Sequence, residues 1–198
     1  MKKTLTLLTL VAGMAFGYSQ GTVNFNNNVA FATSAPVAAN GKSDRFVYDS
    51  DNSTRLVGTN YFAQLYFAIG SGVAESSLVA VTPTAAFRTP TTSSPGTWSG
   101  GTRTLPGTSA GQTVTLQVRV WDGSLFSTYE QAAVGAVGKI GKSVTFDYVV
   151  PTTGAPPAAF FMEGLQSFTL VPVPEPSTYA LGALGLGAVA LVRRRLRK

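Results

Sequence analysis

An all-β fold, a β-sandwich with a jelly-roll-like course, is the class that residues 20–171 predict, on three observations. Apolar and polar residues alternate with period two through several runs, Gly- and Pro-rich connections separate those runs, and helical patterning is confined to one short segment. Val23 and Phe25 begin a short first strand. Tyr61, Ala63, Leu65, Phe67 and Ile69 alternate with Phe62, Gln64, Tyr66 and Ala68, which predicts a more fully buried strand. Val114, Leu116, Val118 and Val120 alternate with Thr113, Thr115, Gln117 and Arg119, the pattern of a half-buried strand. Val144, Phe146, Tyr148 and Val150 make a third run, and Phe168 with Leu170 closes a last strand. Residues 89–101 and 151–157 read as connections. Residues 128–137 are the helix candidate, kept short by Gly135 and Gly138.

The formal charge of +6 invites a polyanion-binding reading until the charges are located. Residues 20–171 carry eight bases and eight acids and are neutral. The excess belongs to Lys2 and Lys3 at one end and to Arg193, Arg194, Arg195, Arg197 and Lys198 at the other. Nucleic acid is therefore not an expected partner. The sequence has no Cys and no His, which excludes disulfides, thiolate nucleophiles, imidazole-ligated metals and the Ser-His-Asp triad. No catalytic residue, metal ligand or cofactor is expected.

Both ends read as targeting segments. Lys2 and Lys3 precede an apolar stretch over residues 4–17, too short to span a bilayer comfortably, which predicts a signal peptide over residues 1–19. Cleavage between Ser19 and Gln20, with Gly17 at the −3 position, is preferred because it leaves Gln20 and Gly21 ahead of the first strand; cleavage after Gly17 also satisfies the small-residue rule. At the other end, Pro174, Glu175 and Pro176 precede a run without charge to Val192, seventeen residues counted from Pro176, and then the basic cluster. That length sits near the lower limit for a single transmembrane helix, and snorkelling Arg side chains extend its reach. The basic cluster should stay cytoplasmic, which puts residues 20–171 on the far side of the inner membrane, where the signal also sends them.

The order of these three parts over residues 172–198 resembles the PEP-CTERM sorting domain. The resemblance implies recognition by an exosortase-type membrane processing enzyme, cleavage near Pro174, Glu175 and Pro176, and delivery to the cell surface or extracellular matrix of a Gram-negative bacterium by way of an inner-membrane-anchored intermediate. It also implies signal peptidase and the Sec machinery as earlier partners, and an association with exopolysaccharide. Segments such as 21–26, 63–66, 118–122 and 165–168 resemble a group of exported proteins with the same anchor and no assigned activity.

Four candidate sites can be drawn in the body. Asp49, Ser50, Asp51, Asn52, Ser53 and Thr54 place oxygens at alternating positions, as a Ca²⁺ loop does, but Thr54 stands where the loop needs Gly and Asn60 where it needs the bidentate Glu. A hairpin turn closed by Asx-type bonds is preferred. Asn52, Ser53 and Thr54 form a glycosylation sequon, read as a chance tripeptide. Trp98, Trp121, Tyr61, Tyr66 and Tyr129, with Asp122, Glu130 and Arg119 beside them, could stack on and bind sugar rings; core packing is the preferred reading, with Trp121 facing a second sheet and Trp98 covering a loop. Asp122 and Glu130 could form a glycosidase pair, but the carboxylates show no constellation of acid and base. The reading that results is an exported, non-enzymatic surface or matrix protein with a structural or adhesive role. A carbohydrate-binding module for exopolysaccharide, contacted through Trp98, Trp121 and Asp122, is the alternative, and a small hydrolase ranks below it.

Overall fold

The structure is a computed structural model; it describes residues 20–89 and 94–173, together with Gly182, Leu184, Leu186 and Arg193. Ten strands run through the body: β1 (Gly21–Asn26), β2 (Val47–Tyr48), β3 (Tyr61–Ile69), β4 (Val79–Ala86), β5 (Ser99–Leu105), β6 (Thr113–Asp122), β7 (Lys139–Lys142), β8 (Phe146–Val149), β9 (Phe168–Thr169) and β10 (Val171–Pro172). Among the described residues of the body the one α-helix, α1, covers Tyr129–Ala133. The all-β expectation stands.

Six strands form one antiparallel sheet in the order β10-β7-β6-β3-β4, with β8 pairing the same edge of β6 as β7 does. The side chains of β3 and β6 divide by parity. Ala63, Leu65 and Phe67 lie opposite Val120, Val118 and Leu116, and all six enter the main core. Val81 and Ala85 of β4, with Phe146 and Tyr148 of β8, extend that face.

The β1–β5 ribbon and the parallel β2–β9 pair contribute Val23, Phe25, Leu105, Val47 and Phe168 to the same core and cover this face. Two buried polar ties fix the ribbon. The Tyr148 hydroxyl donates to the Thr22 carbonyl at 2.8 Å, and Arg103 Nε donates to the Pro83 carbonyl at 2.9 Å. Gly141 of β7 lies where β9 passes closest: a Cβ there would stand 3.3 Å from Leu170 Cα, so the side-chain-free position permits the approach.

The opposite face corrects the half-buried expectation for β6. Thr115, Gln117 and Arg119 are 0%, 1% and 9% exposed, so the strand is covered on both sides. Polar residues survive there because each has a partner: Thr115 Oγ1 donates to the Gly70 carbonyl at 2.9 Å, Gln117 Nε2 to the Ser143 carbonyl at 3.0 Å, and Arg119 Nε to Gln117 Oε1 at 2.8 Å. α1 lies over this face, with Tyr129 and Ala132 packed on Tyr66, Trp121, Phe62 and Ile140. It starts where Thr128 Oγ1 accepts the Gln131 N–H at 3.3 Å, an N-cap bond. It is shorter than the 128–137 candidate. A Cβ on Gly135 would stand 2.4 Å from Phe126, and Gly138 takes a φ of +92°, which favours glycine.

Other expectations need smaller corrections. Ser99–Leu105 is a strand, so the connection predicted over 89–101 ends earlier than its composition suggested. Val144 is 49% exposed and precedes β8, because Ser143 interrupts the run: its N–H donates to the Val118 carbonyl and its hydroxyl accepts the Val118 N–H. The last predicted strand is two: Phe168 and Thr169 pair with β2 in a two-stranded parallel sheet, and Val171 and Pro172 pair with β7 at the edge of the six-stranded sheet.

Candidate functional site

The chain's exit toward its C-terminal segment is built step by step. Leu170 N–H donates to the Tyr48 carbonyl at 2.9 Å. Val171 and Pro172 then pair with Ile140 and Lys139, and Val173 N–H donates to the Gly138 carbonyl at 2.9 Å. The body is thus hydrogen-bonded up to the residue before Pro174. Beside this exit Lys139 Nζ meets Asp49 Oδ1 at 2.5 Å, tying β7 to the 49–54 turn. Burial alone would raise the Asp49 carboxyl; Lys139 and the Ser50 N–H outweigh it and leave it below its ordinary value.

The predicted processing residues fall mostly beyond the description. Ser19, the signal segment 1–19, Pro174, Glu175, Pro176, Arg194, Arg195, Arg197 and Lys198 lie outside the described residues. Gln20 is exposed at the start of the body. Gly182, Leu184, Leu186 and Arg193 are α-helical and exposed, the two leucines at 72% and 75%. Among the described residues no helix is long and apolar enough to cross a membrane.

The candidate sugar contacts are dispersed. Trp98 is 0% exposed, with its ring 5.3 Å from Phe25 and 5.6 Å from Phe87, and its backbone N–H donates to Asn27 Oδ1 at 2.9 Å. Far from covering a loop, it lies in the main core. Trp121 is 1% exposed and packs under α1 beside Phe62 instead of facing a second sheet; its Nε1 donates to the Phe126 carbonyl at 2.9 Å. Neither indole offers a face to a ligand. Asp122 closes a turn, accepting the Ser124 N–H at 3.0 Å and the Ser124 hydroxyl at 2.5 Å.

Glu130 belongs to a different cluster, centred on Arg119. The Arg119 guanidinium lies 4.0 Å from the Tyr66 ring centre and 5.3 Å from that of Tyr129. It meets Glu130 Oε1 at 3.3 Å and Glu75 Oε1 at 3.7 Å, while the Tyr66 hydroxyl donates to Glu130 Oε1 at 2.8 Å. Burial, then the Glu130 carboxylate, pushes the Tyr66 phenol well up, so it remains a neutral donor. Glu75 is also held by Lys142 Nζ at 2.7 Å. Every charge in this group is spent on another member, which joins α1 and the Glu75–Ser77 turn to the sheet. Sequence reasoning named Arg119 and Glu130 as polar contacts beside a sugar site. Their pairing inside a covered sheet face carries no local signal, because Glu75 is remote in sequence.

The 49–54 segment is a turn that bonds to itself. Asp51 Oδ1 accepts the Ser53 and Thr54 N–H groups at 2.9 and 2.8 Å, and Asp51 Oδ2 accepts the Thr54 hydroxyl at 2.6 Å. These bonds hold the Asp51 carboxyl far below its ordinary value. Asn52, the sequon residue, has a φ of +54°, donates to the Asn40 carbonyl at 3.0 Å and accepts from Thr169 Oγ1 at 2.8 Å. Among the described residues no group of three or more His, Cys, Asp or Glu side chains could hold a metal ion.

Glu163 makes the most connected carboxylate contact. It accepts the Ala32 N–H at 2.7 Å, the Thr33 N–H at 3.1 Å, the Thr33 hydroxyl at 2.6 Å and Arg45 at 3.3 Å. Burial would raise its pKa, but Thr33, Ala32 and Arg45 together bring it below the ordinary value. Burial presses Arg45 the opposite way from Glu163's pull, yet its guanidinium starts so high that it stays charged. A carboxyl depressed on folding stabilises above its unfolded pKa of about 4.3 and loses that contribution as pH falls through the folded value. Glu163→Gln is expected to cost about 1–3 kcal/mol at pH 7, with the gap to the parent closing as pH falls through the depressed folded value. Urea titrations across pH measure this, and a gap constant down to pH 2 would contradict it.

No curated protein and no solved structure matches the chain. A family model does match at the exit: residues 172–198 fit the PEP-CTERM protein-sorting motif. Its first residue, Pro172, is the second residue of β10, so the matched segment begins inside the sheet. The chain is therefore a β-rich protein that carries a PEP-CTERM sorting motif over residues 172–198, the mark of an exosortase substrate.

Proposed function

We propose that this chain is an exported surface or matrix protein whose body, a two-layer β-sandwich, acts as a non-enzymatic structural unit. A helix within residues 177–192 holds it in the inner membrane until an exosortase-type enzyme cuts near Pro174, Glu175 and Pro176. The observation that carries this reading is the exit geometry: Val173, immediately ahead of Pro174, is itself hydrogen-bonded to the body through the Gly138 carbonyl. The sorting signal therefore stands at the edge of a folded domain. The exposed helical Leu184 and Leu186 suit a lipid-facing segment.

The structural role is supported by how the body uses its reactive groups. Glu75, Glu130, Glu163, Asp49, Asp51 and Asp122 each accept hydrogen bonds that close turns or join layers. Both tryptophans are committed to cores. Mass spectrometry of the protein recovered from the cell surface or medium tests the sorting part. The body is expected intact with no peptide from residues 182–198. Recovery of only tail-bearing protein would make it a permanently anchored domain. A glycan array probed with the same material is expected to be blank, and a saturable signal would favour sugar binding.

A further inference from the structure

The body has an apolar rim where the chain leaves it. Val134, at the end of α1, is 85% exposed; Val137 and Leu125 are 49% and 48% exposed, and Val171 of β10 is 56% exposed. These four border one cluster. Phe62, Trp121, Ile140 and Val171 occupy one row across β3, β6, β7 and β10, so Val171 continues the α1-covered face to the sheet edge. A Cβ on Gly138 would stand 2.9 Å from Leu125 Cδ1, which places Leu125 beside the Val137–Gly138 step. Val173 donates to the carbonyl of that same Gly138. The rim and the exit are one place.

We propose that this rim docks on the outer leaflet of the inner membrane while the protein is anchored, seating the body at the lipid headgroups. The inference rests on the anchoring read above. Six residues, 174–179, separate Val173 from the apolar run that starts at Ala180, and six residues span at most about 20 Å even fully extended. The exit therefore stays close to the bilayer for as long as the tail is inserted. The elements meeting there are the end of β6, α1, the start of β7 and β10. Exposed apolar side chains rimmed by polar groups are the chemistry that enters a lipid interface by several ångströms. Glu130 and Gln131 on the exposed side of α1 supply the polar rim and remain hydrated. Once the tail is cut, nothing holds the rim at the membrane except this shallow contact, which lets the body leave.

The absence of cysteine from the sequence makes the test direct. Single-cysteine variants Val134→Cys, Val137→Cys, Val79→Cys, Val149→Cys and Leu186→Cys of the full chain carry an environment-sensitive fluorophore. Each is reconstituted in phosphatidylethanolamine–phosphatidylglycerol vesicles containing lipid spin-labelled in the headgroup region, and Leu186→Cys also in vesicles with lipid spin-labelled mid-chain, the depth at which an inserted run places it. Val79 lies on β4, at the far side of the sheet from β10, and Val149 pairs with the opposite end of β6 from the exit. The Val134 and Val137 labels are expected to lose emission on the order of twofold, with a blue shift, while the Val79 and Val149 labels stay unchanged. Quenching at Leu186 without quenching at Val134 and Val137 would overturn the docking inference alone. No quenching at Leu186 would show the anchor itself absent and bring both readings down. Equal shielding of Val134 in detergent micelles, with a doubled particle mass, would assign the rim to a second copy and also overturn the proposal. Val134 is so exposed that its replacement leaves the core intact, and circular dichroism of each variant confirms the fold.

Discussion

Trp98→Ala is expected to destabilise the body by about 3–5 kcal/mol, the range for emptying a buried aromatic site. The ring is fully enclosed and touches Phe25 of β1 and Phe87 beyond β4, so it lies where the ribbon meets the sheet. The backbone at Trp98 also bridges Phe87, and Asn27, which accepts its N–H, donates to the Arg45 and Gly96 carbonyls. A cavity there loosens the contact between the β1–β5 ribbon and the larger sheet. With total stability of a domain at about 5–15 kcal/mol, the loss leaves a marginal protein, and Tm should fall by roughly 10 °C. Trp98→Phe supplies the contrast. The indole Nε1 is buried without a hydrogen-bond partner among the described residues, so Phe removes an unmet donor while retaining most of the ring. Its cost should be well under half that of alanine. Equal losses for the two variants, measured by urea unfolding, would mean that ring volume is not what this site contributes.

The strands that were legible in the sequence are those whose two faces differ in kind. β3 and β6 announce themselves because one parity is wholly apolar, and their pairing from Tyr61–Asp122 to Ile69–Val114 follows that register. What the alternation hid is the fate of the other parity. Thr115, Gln117 and Arg119 look like a solvent face, yet they are buried as a hydrogen-bonded layer, with Arg119 tied to the Glu75–Ser77 turn. Local pattern cannot report this, because the partners that make burial tolerable come from elsewhere in the chain. β5 was obscured for another reason: Ser99, Gly100, Gly101 and Thr102 have turn composition, but β1 supplies the hydrogen bonds and Phe25 fills the space that side chains at Gly100 would occupy. Both tryptophans are buried, but nothing near Trp121 in sequence signals that a five-residue helix covers it. The sorting segment is the reverse case. Its signal is linear, three parts in fixed order, and so it was legible without any structure.

Replacing Pro174, Glu175 and Pro176 together with alanine should abolish release of the body, with processing reduced by roughly a hundredfold or more. That is the size expected when a recognition element contributes about 2.7 kcal/mol or more to transition-state binding. Proline holds φ near −65° and biases the residue before it toward extended backbone, the form a processing enzyme's groove accepts. Val173 is hydrogen-bonded to the body, so Pro174 follows directly on a fixed residue and the stiffness of the two prolines helps present the motif. Alanine removes that stiffness and the carboxylate together. Glu175→Gln separates the two: it retains both prolines and loses only the charge. Fractionation and mass spectrometry of cells expressing each form supply the measurement. The triple variant should remain in the inner membrane with residues 182–198 attached, while the parent appears outside without them. The fold should be unaffected, because none of the described strands includes the three residues, and equal melting temperatures would verify that. A triple variant released and trimmed like the parent would show that recognition lies elsewhere in residues 172–198, in the apolar run or the basic cluster.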